Sequence, residues 1–323
     1  DYRVLDGKRF KLDSKFIYAS NKNTVLEMNG VDGEMAKAMD PSLVPSRGIA
    51  KFSEVSPGHE YAEFKVLSWA RFGHGLAVDH DLDINTPDVA IDTLDYDWKK
   101  NDVYIGKNGL PIMYSEKIWS GYAPNPDWTG SFFNEIKLGK KIKLSCLLDI
   151  SMGGHIANYT KNSLYEWGTH SDTDKRYHPD FDNPYWFGYE EGVTTEWGKG
   201  TFQELINHGH KAIGPGQDTI ITFSQNLYEN YMGRNTDVIN NIEDASYMKL
   251  REIALSYNFG PVKIGYLGDP NVTIRISAQD LKTWTNYSGW DPETNMYQDR
   301  ISGEDYFNQP QTWRANMAIQ FNW

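Results

Sequence analysis

The sequence lacks any run of 18 or more consecutive apolar residues, so it predicts no transmembrane helix. Its mean hydropathy is low, at −0.62. A transmembrane β-barrel also has a low average, because only every second residue of each strand is apolar. The single cysteine, Cys146, excludes an internal disulfide and a cysteine metal cluster. The formal charge of −12 argues against a nucleic-acid partner.

Motifs for catalysis and metal binding are also missing. There is no Gly-x-Ser-x-Gly, phosphate loop or HExxH pattern, so we predict neither an enzyme nor a cofactor. The acidic alternation at 79–85 lacks the Gly and Glu of a calcium loop, since Ile84 and Ala90 occupy those positions, and a solvated loop is favoured. His208 and His210 have no third ligand nearby, so no metal site is predicted.

The first residues, DYRVLDGKRF, contain no initiator Met, no basic segment and no apolar segment of a signal peptide. We therefore expect the chain to be a piece of a longer protein. Aromatic residues make up 14% of the sequence. Such chains are carbohydrate or peptide binders, or barrels with aromatic girdles, and composition leaves both classes open.

The last eleven residues, WRANMAIQFNW, give the clearest strand signal. Six apolar residues share one face of this segment: Trp313, Ala315, Met317, Ile319, Phe321 and Trp323. The opposite face is polar but has no run of charge. This pattern is typical of a barrel wall with lipid on one side and a wet lumen on the other.

Similar alternation predicts further strands at 128–138, 141–151, 247–259 and 271–280, and more weakly at 9–20 and 59–72. We count seven to nine strands, including one hairpin inside 153–246. Short turns alternate with long loops near 73–127, 153–246 and 281–312, as in bacterial outer-membrane barrels. The predicted fold class is therefore all-β: an antiparallel transmembrane β-barrel segment with long extracellular loops and its C-terminus at the periplasmic rim.

Six segments, in order along nearly the whole chain, resemble the C-terminal region of SusC/RagA-type TonB-dependent transporters of Bacteroidota. They are FIYASNKNTVLEM, APNPDWTGSFFNEIKL, LLDISMGGHIANYTK, DASYMKLREIALSYNFGP, ISAQDLKTWTNYSGWDPETN and GEDYFNQPQTWRANMAIQFNW. The resemblance implies that residues 1–323 are the C-terminal portion of a barrel of about 22 strands. It also implies that the TonB box, the plug domain and the first half of the barrel are absent from this sequence.

The resemblance further implies TonB-dependent import of oligosaccharides or oligopeptides across the outer membrane of a Gram-negative bacterium. The partners would be a SusD-like surface lipoprotein lid, the TonB complex, the remaining barrel and plug, and outer-membrane lipid. The end of the chain resembles the signal read by the barrel-assembly machinery, at Asn316, Ile319, Phe321 and Trp323. Ala318 stands where Gly is usual in that signal, and Trp323 where Phe is commoner.

Aromatic side chains in the predicted loops are the best ligand-binding candidates, because sugar rings and peptides pack on such side chains. They are Tyr185, Trp186, Phe187, Tyr189, Trp197, Trp284, Tyr287 and Trp290. The alternative for each is a role in filling a loop core or contacting a lid protein.

Two other functions compete with the transporter. A soluble β-sandwich that binds carbohydrate would turn its apolar faces toward a dry core, whereas a transmembrane barrel turns them outward. A self-contained porin would require closure of a barrel by this chain alone.

Overall fold

The computed structural model describes residues 2–6, 9–40, 43–69, 103–111, 117–167, 169–170, 199–200, 212–213, 216–222, 238–296, 303–309 and 311–323. Two α-helices are present in these ranges, α1 (Gly33–Ala38) and α2 (Tyr159–Glu166). Two 3₁₀ turns are also present, Val238–Asn241 and Gly265–Leu267. No helix in the described ranges is long and apolar enough to cross a membrane.

The first ten strands in chain order are β1 (Tyr2–Asp6), β2 (Phe10–Ser20), β3 (Glu27–Met28), β4 (Val31–Asp32), β5 (Arg47–Gly48), β6 (Ser53–Val55), β7 (Glu63–Val66), β8 (Val103–Tyr104), β9 (Ile118–Trp119) and β10 (Trp128–Leu138). The others are β11 (Ile142–Met152), β12 (His155–Asn158), β13 (Lys199–Gly200), β14 (Ala212–Ile213), β15 (Ile221–Thr222), β16 (Ile242–Asp244), β17 (Tyr247–Pro261), β18 (Asn271–Thr285), β19 (Glu304–Asp305) and β20 (Arg314–Asn322). The long strands among them build one sheet.

This main sheet has seven strands in the order β1-β2-β10-β11-β17-β18-β20, and every neighbouring pair is antiparallel. Strands β10 and β11 form a hairpin whose turn contains Gly139 with a φ of +59°, a conformation that glycine adopts without steric cost. The predicted all-β, antiparallel fold is confirmed. The five strands predicted from 128–138 to the C-terminus are all present, and they lie side by side in chain order.

From β2 to β20, the strands of the main sheet carry mainly apolar residues on one face and mainly polar residues on the other. The apolar face carries large side chains that are solvent-exposed in this chain: Phe16, Tyr18, Phe132, Leu144, Ile253, Leu255, Tyr257, Ile276, Met317, Ile319 and Phe321. Met317, for example, is 64% exposed. In a water-soluble sandwich such side chains would be packed against a second sheet.

The length of the strands also fits a membrane. Strands β10 and β11 each have 11 residues. At about 3.3 Å per residue, such a strand is roughly 36 Å long, and a tilt of about 40° reduces the height to roughly 28 Å. That height slightly exceeds the apolar band of a transmembrane barrel, about 25 Å.

The buried apolar core lies in the connections rather than in the sheet. It is the loop cluster, formed by Phe52, Phe64, Val66, Ile118, Ala157, Ile239 and Ile242. Small sheets surround it, in the orders β5-β6-β7-β9 and β16-β12-β19. The carboxylate of Glu304 ties β19 to this cluster by accepting the backbone N–H of Phe52 at 2.6 Å. The loop cluster is joined to the end of the main sheet where β11 and β17 meet β12 and β16.

Two details of the strand prediction are wrong. The segment 59–72 does not add a strand to the main sheet in its described part, because β7 pairs with β6 and β9 beside the loop cluster. The strand predicted at 271–280 continues to Thr285, so the following loop begins later than expected. Strand β1 was not predicted, and the described residues of 153–246 contribute no hairpin to the main sheet.

Candidate functional site

The polar face of the main sheet carries a cluster of charged side chains near the loop cluster, and Arg251 on β17 is its centre. Its Nε donates to Asp149 Oδ2 on β11 at 2.7 Å, and its Nη1 donates to Asp280 Oδ1 on β18 at 3.3 Å. Its Nη2 also pairs with Glu293, which lies in the loop after β18. Asp149 in turn accepts the hydroxyl of Ser131 at 2.7 Å. One guanidinium therefore joins three strands to a loop.

Lys249 lies beside this cluster, two residues before Arg251 on the same face, and its side chain is only 1% exposed. Its Nζ donates to Asp291 Oδ2 at 2.9 Å and to Glu293 Oε2 at 2.7 Å. A buried ammonium is costly unless it is paired, and two carboxylates pair this one. Glu293 contacts both cations and so fastens the loop to the sheet.

The pKa of Glu293 reflects this position. Burial opposes ionisation of the carboxyl group, but hydrogen bonds from Arg251 and Lys249, and the charges of those two residues, outweigh it and lower the pKa to about 2. Glu293 is therefore ionised at neutral pH and available to both cations.

A β-bulge places Asp280 on the polar face. The register between β17 and β18 shifts between Leu250 and Glu252, and Asp280 has a φ of +53°. A bulge inserts an extra residue into one strand and re-aims its side chain. Here it brings the Asp280 carboxylate to both Arg251 and Arg314, whose Nη2 lies 3.3 Å from Asp280 Oδ2.

A cavity of about 680 Å³ opens on the polar face next to this cluster. It is lined by Phe133, Leu147, Asp149, Arg251, Glu252, Gln279, Asp280, Gln311, Thr312 and Arg314. Five of these form one transverse row with one residue per strand: Phe133, Leu147, Glu252, Gln279 and Arg314. The row begins at an apolar pair and ends at a guanidinium, so the lining of the cavity changes from apolar to cationic along its length.

The loop that follows β18 is anchored at several points. The hydroxyl of Tyr287 donates to Asp305 Oδ2 at 2.6 Å, and Ser288 donates its backbone N–H and its hydroxyl to Glu243 at 2.8 and 2.7 Å. Gly289 packs so closely on Tyr287 that a Cβ there would lie 2.5 Å from its ring. The loop is therefore held in place around Trp290, which is 76% exposed.

The structure places the three described ligand-binding candidates in different surroundings. Trp284 lies within β18, opposite Met248 on the apolar face, so its predicted position in a loop is wrong. Tyr287 is buried and bonded to Asp305, whereas Trp290 projects from its anchored loop. Ligand binding by these residues stays a prediction. The other candidates lie outside the described residues: Tyr185, Trp186, Phe187, Tyr189 and Trp197.

The residues of the predicted assembly signal all lie on or just after β20. Asn316 is on the polar face opposite Ser277, and Ile319 and Phe321 are on the apolar face opposite Ile274 and Val272. Trp323 follows the strand, and its ring lies 3.8 Å from the position of a Cβ built on Gly268. Their role as a signal stays a prediction.

No group of three or more potential metal ligands occurs within the part of the chain that the structure describes. The acidic alternation at 79–85 and the pair His208 and His210 lie outside that part. The sequence analysis did not single out the charged residues around Arg251. The signal that indicates them is the alternation of Lys249 and Arg251 on one face of a strand whose other face is apolar.

Comparisons with known proteins agree with this architecture. No family model matches the chain. TonB-dependent receptor P3 of Formosa agariphila is 24% identical over 202 residues, which are 61% of this chain and 16% of that protein. The solved structure of the RagAB peptide transporter is similar in fold, with 15% sequence identity and a TM-score of 0.51. The similarity covers 99% of this chain and 28% of the transporter chain. The chain thus spans less than a third of either relative.

The fold and the two-faced sheet define an all-β protein of the type seen in the RagAB structure. The chain also has sequence similarity to a TonB-dependent receptor over 202 residues. Both likenesses support the resemblance to SusC/RagA-type TonB-dependent transporters that the sequence motifs indicate.

Proposed function

We propose that this chain supplies part of the barrel wall and outer loops of a TonB-dependent importer in the outer membrane of a Gram-negative bacterium. The importer takes up oligosaccharides or oligopeptides and works with a SusD-like lipoprotein lid. The plug, the remaining strands and the contact with TonB come from sequence outside this chain. The chain itself performs no covalent chemistry.

The observation that carries the proposal is the reversed placement of apolar side chains. Large apolar residues are exposed along one whole face of the main sheet, while the buried core lies in the loop cluster. A soluble β-sandwich that binds carbohydrate would show the opposite placement. A lipid environment explains the exposed apolar residues, because lipid surrounds the apolar face of the sheet while the polar face lines the lumen.

The edges of the main sheet favour an arc of a larger barrel over a self-contained porin. Within the described residues, β1 and β20 are the outermost strands and each pairs on one side. In lipid, each unpaired backbone group costs several kcal/mol, so open edges are not tolerated. Further strands from the same protein would pair with both edges and close the wall.

The arrangement of connections supports the proposed orientation. The tight turn after β10 and the connector from Val262 to Pro270 lie at one end of the sheet, and the loop cluster joins the other end. Outer-membrane barrels have short periplasmic turns and long extracellular loops. The loops near 73–127, 153–246 and 281–312 are therefore proposed as extracellular, with Trp323 at the periplasmic rim.

The proposal is tested by nutrient uptake in cells that carry the full-length gene. A strain lacking the gene is expected to lose uptake of one class of labelled oligosaccharide or oligopeptide. Loss of TonB should abolish the same uptake, because a plugged barrel conducts large solutes only when energised. Uptake that continues without TonB would contradict the proposal and favour an open porin.

A further inference from the structure

The end of the main sheet that carries the short turns also carries a concentration of positive charge. The segments 9–12 and 136–144 contain two and four Lys or Arg residues and no Asp or Glu, although the whole chain has a formal charge of −12. These segments lie side by side, because Phe10 on β2 is directly opposite Leu138 on β10. Strand pairing therefore brings the two basic segments together at one end of the wall.

The lysines on the strands themselves are used within the wall. Lys11, Lys137 and Lys143 form a transverse row on the polar face of β2, β10 and β11. Glu135, which is also on this face, accepts an ion pair from Lys137 at 2.8 Å and from Lys143 at 2.6 Å. The charges of Lys137 and Lys143 are therefore compensated by the sheet.

Three further cations lie at the rim of the sheet, beyond the strand lysines. They are the rim cations, Arg9, Lys140 and Lys141, which are all exposed and form no ion pair with another described residue. Backbone hydrogen bonds hold their positions together: Gly139 N–H donates to the Arg9 carbonyl at 2.8 Å, and Asn258 N–H donates to the Lys141 carbonyl at 2.8 Å. The backbone here is fixed, while the three charged groups face outward into their surroundings.

The rim cations are placed just beyond the end of the apolar face. The last transverse row of that face consists of Phe10, Leu138, Ile142 and Tyr257. Tyr257 packs edge-on against Phe259, with 4.7 Å between the ring centroids. Aromatic side chains of this kind mark the boundary between the apolar band and the polar surface of a membrane. Cations directly after this row lie at the level of the lipid headgroups.

The chemistry of the rim cations suits a phosphate group. A guanidinium and two ammonium groups are all donors that bind phosphate oxygens. Their long side chains can lie along an apolar surface while the charge stays among the headgroups. Each Lys or Arg near an anionic membrane surface strengthens the attraction about fivefold.

We propose that the rim cations bind the phosphate of an anionic phospholipid in the periplasmic leaflet of the outer membrane. This assignment goes beyond the import function and rests on the proposed orientation, in which the short turns are periplasmic. A phospholipid fits better than an acidic protein segment because the rim cations border the exposed apolar face, where the acyl chains of the same lipid would pack.

Lipid binding to the full-length transporter in a neutral detergent tests the assignment. The probes are fluorescent phosphatidylglycerol, which is anionic, and phosphatidylethanolamine, which is zwitterionic, each titrated in mixed micelles. The protein is expected to bind phosphatidylglycerol about tenfold more tightly than phosphatidylethanolamine. The triple variant Arg9→Gln, Lys140→Gln, Lys141→Gln should bind the two lipids equally, whereas Lys140→Arg should keep the preference.

The matched control is a second triple variant, Lys22→Gln, Lys37→Gln, Lys117→Gln. It removes the same charge from three exposed lysines that lie outside the strands of the main sheet, and it should keep the full preference. Equal binding of both lipids by the wild type, a preference that survives in the rim variant, or equal losses in the two triple variants would overturn the assignment. Displacement of the lipid by millimolar inorganic phosphate would also overturn it, because it would indicate a site for the free ion. The import function is decided separately by TonB-dependent uptake, which none of these outcomes changes.

Discussion

Replacing Arg251 with methionine is expected to lower the free energy of unfolding of the full-length transporter by about 3–5 kcal/mol, because three carboxylates lose their shared cation. The Arg251 side chain is mostly buried and contacts Asp149, Asp280 and Glu293. Breaking a buried ion pair is expensive because the remaining charge stays desolvated. Urea unfolding in lipid vesicles, followed by tryptophan fluorescence, measures the effect.

Arg314→Met is the matched control for that measurement. Arg314 is an arginine on the same face and shares Asp280 as a partner, but within the described residues it makes one ion pair whereas Arg251 makes three. A single ion pair on the water-facing side of the wall contributes about 0–1 kcal/mol, so this variant should unfold almost like the wild type. Adding Asp149→Asn to the Arg251→Met variant should recover part of the loss, since it removes one uncompensated charge. Equal losses in the two arginine variants would contradict the central role given to Arg251.

The second large effect is expected on the apolar face. Met317→Arg should destabilise the full-length protein in bilayers by about 2–4 kcal/mol, the cost of arginine on the lipid face near the bilayer midplane. Met317 lies near the middle of β20, where it is opposite Ile276. The measurement is folding free energy in phospholipid vesicles.

Asn316→Arg is the control because Asn316 is the adjacent residue on the same exposed strand, with its side chain on the polar face. A lumen-facing arginine remains hydrated, so the stability should change by less than about 1 kcal/mol. If both variants lost the same free energy, the assignment of the apolar face to lipid would be contradicted.

The long strands were predictable because each face of a barrel wall meets a different solvent along its whole length. In β11 and β20 one face is apolar along the whole strand, and their bounds agree with the predicted segments within two residues. In β18 the alternation predicts a strand only as far as Asp280, because the bulge lies there and the charged Lys282 follows on the apolar face, opposite Leu250. Trp284 was therefore assigned to a loop although it lies on the apolar face.

Strand β7 shows a different limit of sequence patterns. Glu63, Phe64 and Val66 are all buried, since this short strand lies inside the loop cluster with neighbours on both faces. Periodicity alone does not tell a strand of the wall from a strand packed among loops. Tertiary contacts decide between them, and those are formed by residues distant in the chain.

The charged site was harder to predict for the same reason. Arg251 is 102 residues from Asp149 and 42 residues from Glu293 in the sequence. Only the register of β11 with β17 brings Arg251 to Asp149, and only the folding of the loop after β18 brings in Glu293. The aromatic residues of the loops could be picked out from the sequence as binding candidates. The apolar pair Phe133 and Leu147 could not, because only the register of the sheet places these two residues together among polar side chains.

The central claim is that the apolar face of the main sheet contacts lipid and the polar face contacts water. Spin labels at Met317→Cys and Asn316→Cys, each in a Cys146→Ser background of the full-length protein in bilayers, test it most directly. The label at 317 should be relaxed by oxygen, which concentrates in lipid, and the label at 316 by a water-soluble nickel chelate. Equal access of the nickel chelate to both positions, or the reverse pattern, would contradict the account.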